Sequence, residues 1–382
     1  MRKRLATRIG LGVAAFLAVA GGGWILSLPT APPAGAAPPI PREEAEAMIA
    51  ALQPPRRRRP LIAIVGINDA TETTDYLMPF GILRRADVAD VIALATGPGP
   101  VTLFPALRVQ PQSTVAEFDA RHPEGADYVV VPAMSRDDDP AALQWIRGQA
   151  AKGAIIVSVC AGAKVVAAAG LLDGRRATTH WYYLGDMLES HPAIRHVADR
   201  RLVVDRGVAT TTGITASMPM MLTLIEAIAG PEKARSVARD LGVAQWDARH
   251  RSGAFRFTRS FALTVIGNRM SFWNRERLGI ALAPGMDEVS LALVADAWSR
   301  TYRSRAVTFA ATAGARPSRN GLRILPDEVA TDWPPERLVP SFRNRRPAEA
   351  LDRTLREITD RYGMRTADVV AMQLEYPWPS PP

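Results

Sequence analysis

The stretch VSVCAGAKVVAAAGLLDGRRATTHW, Val157 to Trp181, passes from an apolar strand into a helical pattern with no loop between them. The strand runs Ile155 to Val159, and Cys160-Ala-Gly-Ala-Lys164 leads directly into a helix over Lys164 to Ala169. A turn this tight demands small residues, which Ala161, Gly162 and Ala163 supply, by the same logic that governs the nucleophile elbow of hydrolases. Cys160 is the one cysteine of the chain. It is expected as an exposed residue at the carboxyl end of a central strand and the amino end of a helix. Free N–H groups and the helix dipole favour a thiolate there, so its pKa is expected below the free value of about 8.5. The competing expectation is a small buried hydrophobe, the usual state of a free cysteine.

Outward from this turn, apolar runs alternate with helical patterns. Strands are expected at Leu61 to Val65, Val91 to Ala95, Tyr128 to Val131, Ile155 to Val159 and Val208 to Thr211. Helices fit Tyr76 to Arg85, Ala141 to Lys152, Lys164 to Ala169 and Met218 to Ala229. Near-continuous apolar strands mean a sheet covered on both faces, and the alternation gives an α/β, doubly wound parallel sheet. Ligands of such sheets bind beyond the carboxyl ends of the strands.

The elbow, the AGLLDGRRATTHW tail and the twenty-residue interval from Cys160 to His180 together resemble the PfpI superfamily, the class I glutamine-amidotransferase-like group. The segment is most similar to the sensing domain of AraC-type transcription regulators. The resemblance implies a flavodoxin-like sandwich, a nucleophilic or redox-sensitive Cys160, and His180 approaching it from the neighbouring strand. It also implies an acid four residues before a Pro on the first helix, which Asp75-Tyr-Leu-Met-Pro79 matches with Asp in place of the usual Glu. Taken without the resemblance, Asp75 reads as a helix-start acid and His180 as a strand-end histidine satisfied by backbone. One departure stands out: the family's Pro-Gly-Gly type turn reads Val131-Pro132-Ala133-Met134 here. Ala133 and Met134 reach left-handed backbone only at a cost, which leaves the oxyanion-binding half of the site in doubt. The expected catalytic set is Cys160, His180 and Asp75, and the expected ligand-binding set is Ala133, Met134, Ala161 and Gly162.

The chain has 382 residues, 47% hydrophobic and 22% charged, with a formal charge of +9. That length suits about two domains. Arg2, Lys3, Arg4 and Arg8 precede Ile9 to Leu28, twenty uncharged residues, enough for a helix to cross a bilayer. The basic tip then places the remainder outside the cytoplasm. An uncleaved single-pass anchor is the expectation, with a cleaved signal peptide as the alternative. The expected division is 1–28 basic tip and anchor, 29–58 Pro-rich linker, 59–242 PfpI-like domain, 243–277 connecting segment and 278–382 a degenerate half-domain. The last rests on an internal repeat, in which Gly321-Leu-Arg-Ile-Leu-Pro326 matches Ala106-Leu-Arg-Val-Gln-Pro111. It is a smaller, partial α/β repeat without elbow or cysteine.

No Gly-rich phosphate loop, dinucleotide fingerprint or His/Cys cluster at metal spacing is present in the sequence, so no cofactor and no metal are implied. No paired short helices of a DNA-reading module are evident, and nucleic acid is not expected as a partner. The expected partners are a small-molecule ligand, the membrane and a second copy, since relatives commonly pair. The function expected from all this is a membrane-anchored protein whose Cys160 acts on or binds a small electrophile. A ligand sensor or scaffold without turnover is the alternative, favoured by Ala133 and Met134.

Overall fold

The computed structural model describes residues 20–31 and 35–378. Within them the central element is a seven-stranded sheet. Its order is Leu202–Asp205, Val208–Thr211, Ile155–Ser158, Tyr128–Val131, Leu61–Gly66, Asp90–Ala95 and Ser113–Thr114. All neighbours run parallel except the first pair, an antiparallel hairpin turning at Arg206-Gly207. Every residue of Leu61–Gly66 is buried, as two covered faces require. Its side chains alternate between the faces: Ile62 and Ile64 join one apolar cluster, Leu61, Ala63 and Val65 the other. The doubly wound α/β architecture expected from the sequence is therefore the one observed.

The Thr73–Ala86 helix lies under one face and is buried over nearly its whole length. Glu72 caps it by accepting from the Asp75 N–H. Pro79 inside it has no N–H, so the Asp75 carbonyl gives up its helical partner. This helix packs against Ser217–Ala229 on one side and against Glu288–Ser299 on the other. Burial on both sides is why its sequence shows so little polar face.

Beyond residue 275 the chain forms a three-stranded parallel sheet of Glu276–Ala281, Ser304–Ala310 and Glu328–Val329. The helices Glu288–Ser299, Pro347–Tyr362 and Met364–Leu374 accompany it. A further sheet joins this part to the first, because Arg323–Leu325 pairs antiparallel with Arg108–Gln110 in the register Arg323 to Gln110, Ile324 to Val109 and Leu325 to Arg108. The two stretches whose sequences match are thus each other's strand partners.

The amino terminus requires a correction. Residues 9–19 of the expected span lie outside the described residues, and among the described ones no helix is long and apolar enough to cross a membrane. The described end of the run, residues 20–27, is a short helix tied to the folded body. Arg259 donates to the carbonyls of Ile25 and Leu26, and Trp24 packs against Phe257 with ring centroids 5.9 Å apart. A spanning helix needs about 20 unbroken residues, and the described part of this one covers residues 20–27. The membrane anchor, the membrane as partner and the single-pass extracytoplasmic placement are corrected on this finding.

Candidate functional site

The strand Ile155–Ser158 delivers Cys160 onto the turn in left-handed backbone, φ 55°. Such a conformation in a non-glycine residue persists only where its surroundings over-determine it. Two threonines do this: the Cys160 N–H donates to Thr211 Oγ1 at 2.9 Å, and Thr179 Oγ1 donates to the Cys160 carbonyl at 3.1 Å. Gly162 follows because nothing larger fits. A Cβ there would lie 2.1 Å from the Val131 carbonyl oxygen and 2.9 Å from the Pro132 carbonyl carbon.

The environment of the sulfur differs from the exposed, acidified thiol expected. Cys160 is 4% exposed, and burial pushes its pKa well up, with the charges of Asp75 and Glu72 acting in the same direction. The Ala161 N–H opposes this and does not prevail. Burial is the main reason, and the acid cluster beneath the turn adds to it. Asp75 is fully buried, accepts from the Ala133 N–H at 3.1 Å through Oδ2, and has no hydrogen-bond partner at Oδ1. Burial, then Glu72, holds its proton well above the usual carboxylate range. Ala133 therefore spends its N–H on Asp75 and its carbonyl on the Glu72 N–H. Met134 lies beside it in a bridge with Thr71.

His180 is also buried, and both ring nitrogens are engaged. Nδ1 accepts from the Tyr182 N–H at 3.2 Å, which makes Nε2 the protonated nitrogen facing the Gln373 carbonyl at 2.9 Å. Burial lowers its pKa to about 4. An NMR titration of the His180 ring should accordingly show a midpoint near pH 4. A base whose folded pKa is depressed contributes stability that is present above the unfolded value and lost as pH falls. For His180 that window opens near the ordinary 6.5 and closes near 4. His180→Gln should flatten this part of the stability profile by up to about 3 kcal/mol. A midpoint above pH 6 would contradict the buried neutral ring.

Several members of this site carry no sequence signal of their own. Arg300, from the end of the Glu288–Ser299 helix, pairs with Glu72 at 2.8 Å and Asp296 at 2.8 Å and is felt electrostatically by Cys160. Gln373 and Glu375 come from the last helix and its end, and Trp181 Nε1 donates to the Met372 carbonyl. Thr211, Thr212 and Gly213 do have a signal, since they end the strand beside that of Cys160, where sheets of this class bind ligands. The structure thus gathers Asp75, Ala133, Cys160, Ala161 and Gly162 around one turn, and closes His180 under the carboxyl-terminal segment.

A sheet of this order with a cysteine strained on its elbow and an acid from the first helix beneath it belongs to a known class. Residues 62–227 match the DJ-1/PfpI family. Isonitrile hydratase of Pseudomonas putida is 40% identical over 171 residues, 44% of this chain and 72% of that protein. The chain belongs to the DJ-1/PfpI family. The HTH-type transcriptional regulator GlxA of Rhizobium meliloti is 31% identical over 182 residues, 47% of this chain and 54% of the regulator. The regulator CdhR of Pseudomonas aeruginosa is 39% identical over 99 residues, 26% of this chain and 29% of its own. Among solved structures, a DJ-1 superfamily protein of Salmonella typhimurium aligns over 49% of this chain and all of its own, with 25% identity and a TM-score of 0.43. The expectation that excluded nucleic acid is corrected by these relatives, several of which are named as transcriptional regulators.

Proposed function

We propose that this chain is a ligand-responsive regulatory member of the family, whose thiol site is held shut by its own carboxyl-terminal segment. The observation that carries this reading is the closure itself. Cys160 is buried with its proton retained, and Gln373, Met372 and Glu375 bond His180, Trp181 and Gly213. A nucleophile needs thiolate and access, and this arrangement withholds both. We read residues 278–382, the partial repeat, as the part that imposes it. The matched regulators support a sensing role for the domain that contains the elbow.

The 40% identity to isonitrile hydratase favours a second reading, hydration of an isonitrile at Cys160. The two are separated by assaying the full chain with a small alkyl isonitrile while following alkylation of Cys160 by iodoacetamide. The regulatory reading expects alkylation at least about tenfold slower than in the urea-unfolded chain, since one pKa unit of retained protonation is already tenfold in thiolate. It also expects no formamide production that depends on Cys160. Turnover lost in Cys160→Ala would replace it with the hydratase reading.

A further inference from the structure

Glu375 sets its carboxyl group among converging donors, and burial nonetheless raises its pKa above the ordinary carboxylate value, the donors and His250 opposing that rise. It leaves the Met364–Leu374 helix in left-handed backbone, φ 47°, and is 5% exposed. Its two oxygens are shared between two backbone donors: Trp181 N–H gives to Oε1 at 2.7 Å, and Gly213 N–H gives to Oε2 at 2.8 Å. The Thr212 side chain acts with these donors to favour the ionised carboxyl group, and His250 Nε2 stands 3.6 Å from Oε2. Thr215 Oγ1 donates to the Glu375 carbonyl at 2.9 Å. Converging amides of this kind are how a backbone recognises an anion.

The receiving groups Trp181, Thr212, Gly213 and Thr215 lie inside residues 62–227, the stretch that matches the family, whereas Glu375 lies outside it. Thr212 and Gly213 directly follow the strand Val208–Thr211, at the end where this architecture takes ligands. Gly213 is required by the occupant rather than by its own backbone. Its φ of −61° and ψ of −174° suit any residue, but a Cβ would come within 2.6 Å of the Glu375 Cβ and Cγ. The cradle also adjoins the thiol, because Cys160 feels the charge of Glu375.

We propose that the donors facing Glu375 are the ligand-recognition site of this protein, that the ligand is a small organic carboxylic acid, and that its carboxylate takes the place of Glu375, releases the carboxyl-terminal segment from His180 and Trp181 and opens the way to Cys160. The proposal rests on the regulatory reading above and names the ligand class for it.

The test uses the full chain and Glu375→Ala, which lacks one CH₂–COO⁻ group, so that acetate is the missing piece and acetamide its uncharged isostere. Cys160 alkylation should be at least about tenfold faster in the variant, which loses both backbone hydrogen bonds to the carboxyl group, one charge-assisted bond alone being worth about that factor. Acetate, against chloride of equal ionic strength, should raise the melting temperature of the variant saturably and speed Cys160 alkylation in the wild type by displacing Glu375, and acetamide should do neither. Equal effects of acetate and acetamide would overturn carboxylate recognition and leave the closed-site reading standing. Wild-type alkylation that saturating acetate does not speed would do the same. Alkylation as slow as in the wild type would overturn both, since the segment would not be what closes the site. Should Glu375→Ala fail to fold, Glu375→Gln keeps the shape and sets an NH₂ against one N–H donor. It should label faster than wild type, and unchanged labelling would overturn the proposal.

Discussion

Arg300→Met is expected to cost about 3–5 kcal/mol of stability, because it strips the counterion from carboxylates that remain buried. Arg300 holds Asp296 through Nε and Glu72 through Nη2, and its own side chain is only 13% exposed. Asp296 is fully buried, and burial already pushes its pKa to about 7 with the guanidinium in place. Without it the folded state holds protons more tightly still than the unfolded one. A carboxyl group raised in this way favours folding at low pH and disfavours it as pH climbs. The deficit of the variant should therefore be smaller near pH 5.5 than near pH 8, measured by urea unfolding at both. Arg300→Lys, which keeps a charge but not the fork that spans two acids, should fall between the two. A loss independent of pH would mean that packing, not charge, is what Arg300 contributes.

Gly162→Ala should be nearly as damaging. The added methyl would meet the backbone of Val131 and Pro132, and backbone cannot step aside as a side-chain tip can. Relief would require the elbow and the strand Tyr128–Val131 to part, at the upper end of the roughly 1–3 kcal/mol that overpacking costs, or beyond it. Gly148→Ala is the contrast. Gly148 is exposed in the middle of the Pro140–Ala151 helix with nothing near its missing Cβ, so the change should stabilise by about 0.5–1 kcal/mol. Thermal melts of the two variants should move in opposite directions, and parallel shifts would refute the steric account.

The sheet was legible in the sequence because its strands are short and apolar and its turns carry small residues. Tyr128–Val131 and Val208–Thr211 fall where the pattern puts them, and Gly162 marks the elbow. The state of the thiol was not legible, since local pattern shows the turn but not its cover. Glu72, Arg300, Gln373 and Glu375 are what bury Cys160 and His180 or set their charge, and the last three arrive from far along the chain. The helix dipole was the wrong guide at Cys160 because desolvation, with two acids behind it, outweighs one amide. The apolar run at the amino terminus has the composition of a span, while its described end is held by Arg259, a contact that hydropathy does not register.

The antiparallel pairing of Arg108–Gln110 with Arg323–Leu325 puts both partners on one polypeptide. Two separate molecules meeting through such an edge would drift apart on dilution. Here the folded chain between them sets a fixed effective concentration. The amount of protein in solution therefore has no hold over this contact, and any signal that loosens it must arrive as a bound molecule or a proton.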